Sequence, residues 1–185
     1  MGKVILGITI SLDGFVNDRN GSVDALYPDL TDWRETEPGK ESIQNTGAVI
    51  MGRNSYAMSE DPDWFAGNYE YQVPIFVLTH EPPKKHPKET DQLTFTFVTD
   101  GVESAVRQAK AAAGDRDVNI IGAPTTARQC LDAQLADELH VDVMPVLLGG
   151  GLRFFGESTD SIRLERIHVM ELPGGRTHLK CRILT

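Results

Sequence analysis

Four residues, Gly52-Arg53-Asn54-Ser55, directly follow the apolar run Ala48 to Met51, and their types suit the holding of an anion. Where a buried strand leads into a short helix, unpaired backbone N–H groups point outward at the positive end of the helix dipole, and phosphate can settle there. Arg53 adds a planar donor fork matched to phosphate, and Ser55 adds a hydroxyl. A tight turn with no ligand accounts for the same four letters. The stretch from Asn119 to Thr126 repeats the design, with Gly122 and Ala123 allowing close backbone approach, Pro124 fitting a first helical position, and Thr125 and Thr126 offering hydroxyls. Two such junctions on one sheet would suit a dinucleotide. Thr79 and His80 end a third apolar run, and Lys84, Lys85 and Lys88 follow. That cluster reads either as a phosphate contact or as a solvated loop.

Acids that could serve proton transfer lie near the N-terminus. Asp13 sits in an Asp-Gly step, and Asp24, Asp29 and Asp32 lie farther along. Asp32 is the candidate acid facing a substrate, with Asp13 a loop residue near it. The competing readings are a turn stabiliser for Asp13 and a helix cap or water-facing group for Asp32. Trp33 is read as core. His86, His140, His168 and His178 share no ligand spacing and are expected to face solvent from strands or loops, and Cys130 and Cys181 are far apart. No metal is expected, and both cysteines are read as reduced.

The bulk numbers limit the partners. A chain of 185 residues with 40% hydrophobic and 24% charged content is ordinary for one soluble domain, burying roughly 70% of its unfolded surface. A net charge of −9 argues against nucleic acid and anionic membrane as partners. The N-terminal apolar run is broken by Gly7 and Thr9 and is too short for a leader core or a span. A cytoplasmic protein is the expectation.

The elements that must position these residues follow from period and punctuation. Strands are predicted at 4–10, 48–51, 73–79, 94–98 and 117–121, and a loosely amphipathic helix over 29–46, interrupted near Pro38 and Gly39. Asp100 and Glu103 form an Asp-headed capping box before a helix that ends at Gly114. Leu139, Val141 and Val143 alternate with His140 and Asp142, as in a half-buried strand. The alternating runs about Pro173-Gly174-Gly175 predict an antiparallel hairpin. The order is α/β with an antiparallel tail, in one domain.

The stretches Ile8 to Val16 (ITISLDGFV), AVIMGRNSY, IFVLTH, NIIGA and LADELHVDVMPVLLGGGLRFF together resemble the dihydrofolate reductase superfamily. The resemblance is to the branch holding the reductase domain of the riboflavin-biosynthesis deaminase/reductase and small stand-alone relatives. It implies a dihydrofolate reductase-like three-layer α/β/α fold, with a mostly parallel twisted central sheet and an antiparallel C-terminal hairpin. It implies an NADPH-dependent reductase of a small pterin-like, pyrimidine or other heterocyclic substrate, working as a homodimer. Carried over by position, Arg53 would meet the adenosine 2′-phosphate and Ser55, beside Gly52 and Asn54, the pyrophosphate. Thr79 and His80 would lie along the adenine ribose. Gly122, Ala123, Pro124, Thr125 and Thr126 would meet the pyrophosphate and nicotinamide side, while Thr9 and the Asp13 to Asn17 loop, including Val16, would border nicotinamide and substrate. The chain departs from the branch in having Gly122-Ala123 where two glycines are usual, and Ile121 where the riboflavin-pathway enzymes carry glutamate. Those departures leave two alternatives: the riboflavin-pathway reduction of a ribosylamino-pyrimidine phosphate, and a non-catalytic nucleotide-binding homodimer.

Overall fold

The computed structural model describes residues 2–28, 30–122, 124–156 and 161–184, and the side chains of Leu30 to Asp32 lie outside that description. Eight strands form one sheet in the order β4-β3-β2-β5-β1-β6-β8-β7. Six of them, β1 (Val4–Ser11), β2 (Thr46–Gly52), β3 (Ile75–Leu78), β4 (Phe95–Val98), β5 (Asp117–Ile121) and β6 (Glu138–Met144), run parallel. Covered on both faces, β2 is buried at every position, as a central parallel strand requires. β8 (Arg176–Leu184) pairs antiparallel with β6, and β7 (Arg163–Leu172) pairs antiparallel with β8 as the outer edge. The expected α/β fold with an antiparallel tail is what the chain forms.

Helices cover both faces. α5 (Val102–Ala113) and α6 (Pro124–Asp132) pack on one, where Ala105, Val106, Ala109 and Ala127 meet Leu6, Ile50, Ile120 and Val141. The other face carries α1 (Leu30–Glu35) and α2 (Glu37–Asn45) beside an aromatic cluster. There Tyr56 stacks on Phe65 at 5.7 Å, and Phe95 and Phe97 meet Tyr56 edge-on. The polar-looking segment 59–72 supplies Phe65 and Tyr71 to this core through the short turn α4 (Phe65–Asn68).

Two local expectations are corrected. The break between α1 and α2 falls at Thr36, whose hydroxyl accepts from the Gly39 N–H, and Pro38 lies inside the first turn of α2. Proline is tolerated there because that N–H has no helical partner in any case. Gly39 is needed for approach, since a Cβ would overlap the Trp33 carbonyl oxygen. The α5 cap is Gly101, at φ 105°, with no side-chain capping bond, so the Asp100–Glu103 box does not form. A left-handed residue turns the chain too sharply for an aspartate one position earlier to reach the first amides.

Candidate active site

The three strand ends singled out by sequence emerge side by side. Met51 pairs with Ile121 and Gly52 with Leu78, so Gly52, Gly122 and Thr79 share the carboxyl rim of β2, β5 and β3. Open parallel sheets bind ligands at such rims. Gly122 adopts φ +87°, and a Cβ there would overlap Ser55 Oγ and sit 2.8 Å from Ser55 Cβ. The two junctions therefore fit against one another through a missing side chain. Arg53 and Asn54 are exposed, and α3 (Arg53–Tyr56) is a single turn. One turn sums few peptide dipoles, which leaves the guanidinium as the main positive charge of this junction. Pro124 opens α6, with Thr126 buried and Thr125 exposed. Ala123 lies outside the described residues. Thr79 is buried and its hydroxyl donates to the Glu81 carbonyl at 2.8 Å, while His80 is exposed.

Asp13 is a loop clamp. Its carboxylate accepts from Ser11 Oγ at 2.6 Å and from the backbone N–H groups of Leu148 at 3.1 Å and Gly149 at 2.8 Å. The Ser11 hydroxyl and then the two amides hold its pKa down at about 2, which makes it an acceptor and not a proton source near neutrality. Val16 is tied to the same region, its N–H donating to the Leu152 carbonyl at 2.9 Å. A folded pKa below the ordinary value means the clamp contributes above about pH 4 and is lost as pH falls through about 2. In NMR spectra the Gly149 amide proton should move upfield with a midpoint near pH 2, and Asp13→Asn should reproduce much of that shift at pH 7. A Gly149 resonance indifferent to both would remove the clamp.

Behind the rim, a cleft opens between α1, α2 and the sheet. Gly7 and Thr9 of β1, Asn119 and Ile121 of β5, His140 and Asp142 of β6, and Arg176 and His178 of β8 face it. On each strand these residues alternate with core residues, as period 2 requires. Thr9 pairs with Asp142 and Asp142 with His178, which sets the three in one row. His178 Nδ1 lies 2.6 Å from Asp142 Oδ1, and Arg176 Nη1 donates to Asp142 Oδ2 at 3.1 Å. Arg176 is 2% exposed, His178 5% and Asp142 7%. His140 lies alongside, its Nε2 3.0 Å from Glu138 Oε2, and burial holds its pKa down against that carboxylate. Tyr27 shares a side-chain hydrogen bond with Thr9, and burial pushes its phenol up.

The solvent-facing expectation for His140 and His178 is therefore corrected. Alternation identifies the polar face of β6 and β8, but that face meets a cleft under α2, not bulk water. Trp33, read as core, lines the same cleft, and its buried Nε1 has no partner among the described residues. The Asp32 side chain falls outside the described part. Sequence reading missed Asp142, Arg176, His178 and Asn119. The usable signal was the coincidence of a His-x-Asp on one predicted strand with an Arg-x-His on the last.

At the far wall, Asn119 Nδ2 donates to Ser42 Oγ at 3.2 Å and to Tyr71 OH at 3.3 Å. Both amide protons are thus used, and Oδ1 is left buried without a partner among the described residues. Gly7 makes the room, since a Cβ there would stand 2.8 Å from that oxygen. The rim and the cleft meet at Ile121, which lines the cleft one residue before Gly122.

This fold has known counterparts. A putative riboflavin biosynthesis protein from Shewanella sp. PV-4 superposes with a TM-score of 0.78 at 25% identity, covering 99% of both chains. The deaminase/reductase of Thermotoga maritima, diaminohydroxyphosphoribosylaminopyrimidine deaminase/5-amino-6-(5-phosphoribosylamino)uracil reductase, superposes at 0.71 with 15% identity. It matches 99% of this chain and 57% of its own. An uncharacterized Bacillus subtilis (strain 168) protein, YyaP, is 24% identical over 94% of this chain and 90% of its own length. The sequence pattern of the RibD C-terminal domain matches residues 2–177, which takes in the rim, the cleft residues up to Arg176 and all of β7. A glycine-lined rim joined to a polar cleft is thus how this sequence builds a member of the RibD C-terminal domain family, to which the chain belongs.

Proposed function

We propose that the protein is an NADPH-dependent reductase of a small heterocycle of the pyrimidine or pterin type. The observation that carries this reading is the continuity of rim and cleft through Ile121 and Gly122. Gly52 to Ser55 and Gly122 to Thr126 would hold the pyrophosphate, with Arg53 on the 2′-phosphate and Thr79 and His80 along the adenine ribose. Thr9 and Val16 would border the nicotinamide. The absent Cβ at Gly122 makes room for Ser55 and so brings the two glycine junctions together on one rim. The bound cofactor supplies a hydride, and the chain's own residues orient the acceptor and exclude water. Ile121 puts an apolar side chain beside Gly7, which favours a heterocycle less polar at that point than a ribosylamino-pyrimidine phosphate.

NADPH at 100 times its dissociation constant should stabilise the protein by about 2.7 kcal/mol, read as a rise in melting temperature. Arg53→Ala should weaken NADPH by about tenfold or more, the loss of a charged hydrogen-bonding partner, and leave NADH nearly unchanged. Absence of a shift with either cofactor defeats the reductase reading. Equal losses for both would remove Arg53 from the 2′-phosphate.

The same proposal includes a homodimer. Leu164, Ile167 and Val169 of the edge strand β7 and Leu184 of β8 are each at least 40% exposed, and an apolar edge of that kind is normally covered. Sedimentation should give twice the chain mass, and Ile167→Glu should return a monomer. A wild-type monomer at micromolar concentration would count against it.

A further inference from the structure

The geometry points to His178 as the group that gives a proton to the bound substrate, an inference resting on the reductase reading of the same cleft. His178 Nδ1 is 2.6 Å from Asp142 Oδ1, so the Nδ1 hydrogen is held by a carboxylate. The other nitrogen, Nε2, is buried with no partner among the described residues, on a ring that lines the cleft. Buried polar atoms are almost always paired, and one without a partner on a cleft-lining ring is completed by what enters the cleft. Asp142 is itself fixed by Arg176 Nη1 at 3.1 Å, which prevents the pair from rotating away.

The other titratable groups are less suited. Asp13 is spent on backbone amides and stays ionised. His140 Nε2 already meets Glu138, and the Tyr27 phenol is buried and bonded to Thr9. Cys130 is buried among apolar groups, its thiol pushed up to about 12. Asn119 Oδ1, packed against Gly7 on another cleft-lining residue, is an acceptor that also has no partner among the described residues. A substrate carrying an N–H donor and the reducible C=N or C=O satisfies both groups.

A reduced nicotinamide held at the rim would supply the hydride for the new C–H bond at the acceptor carbon. The π pair of the C=N or C=O moves onto nitrogen or oxygen and takes the Nε2 proton. The imidazolium becomes neutral imidazole, still bonded to Asp142, and regains its proton from water. The charged and titratable groups around the ring are Asp142 and His140 on β6, Arg176 and Lys180 on β8, Glu41 on α2, and Tyr27 and Glu70 from the loops.

Nitrogen-15 NMR of histidine-labelled wild-type protein, assigned with His178→Gln, tests this without a substrate. The expected neutral form carries its hydrogen on Nδ1. The opposite tautomer overturns the inference. Turnover is read as NADPH oxidation with dihydrofolate and with an aminouracil. His178→Gln should lower kcat by about 10²–10⁴-fold, keep NADPH affinity within about twofold, and abolish the fall of kcat at high pH that a proton donor imposes. An unchanged kcat overturns it. Failure of the wild type to bind NADPH overturns the cofactor reading instead, and the tautomer measurement then judges His178 alone.

Discussion

Gly122→Ala should lower stability by about 2–6 kcal/mol and remove measurable NADPH binding. Two separate terms act at this position. At φ +87° an L side chain meets its own backbone, which costs about 1–3 kcal/mol. The new methyl would also overlap Ser55 Oγ and sit 2.8 Å from Ser55 Cβ. Rotating the hydroxyl clears the first contact, but the second is fixed to the backbone of α3, so a shift of the β2 or β5 junction adds about 1–3 kcal/mol. For a chain of this length each kcal/mol is worth about 2–4 °C in melting temperature. Ser55→Gly in the same chain separates the terms: the double variant should recover the contact share and keep the φ share. A Gly122→Ala protein melting within about 1 °C of wild type would mean that the two junctions do not touch. One that is destabilised yet binds NADPH normally would move the cofactor away from this rim.

That prediction was partly visible in the sequence, because Gly52 and Gly122 each follow a β-branched or apolar run and precede a helix. What the letters did not contain was the adjacency of β2 and β5, which alone brings Ser55 under Gly122. Topology of this kind arises from crossovers, not from local pattern. The same limit hid the cleft. His140 and Asp142 alternate with Leu139 and Val141 as residues on a water-facing side do, and period 2 cannot distinguish water from the underside of a helix. The strand pairing β1-β6-β8 converts three ordinary alternations into one polar wall. The aromatic core was masked differently: Phe65 and Tyr71 sit in a stretch with Glu60, Asp61, Asp63 and Glu70, whose charges outvote the rings in any window average. Asp100 was misread because a capping residue and a glycine turn look alike until φ is known.

Asp142→Ala should cost about 3–5 kcal/mol, the penalty of removing one partner from a buried ion pair, while the double change Asp142→Leu with Arg176→Met should cost less than the single. Asp142 Oδ2 accepts from Arg176 and Oδ1 from His178 in a site where none of the three is more than 7% exposed. Deleting the carboxylate leaves a guanidinium in the interior without its counter-charge on β6. Deleting both charges leaves nothing ionised to desolvate, and apolar replacements of similar volume fill the wall. Urea unfolding at fixed protein concentration measures both variants, with an unchanged m-value required for the comparison. A single variant within about 1 kcal/mol of wild type would show that water reaches the pair. The two variants also separate stability from chemistry. The double variant keeps a folded sheet and an intact rim, so NADPH should still raise its melting temperature, but His178 has lost the carboxylate that fixes its tautomer. Reduction should then fail in a protein that is folded and cofactor-bound. A double variant that turned over at the wild-type rate would assign Asp142 and Arg176 to packing alone.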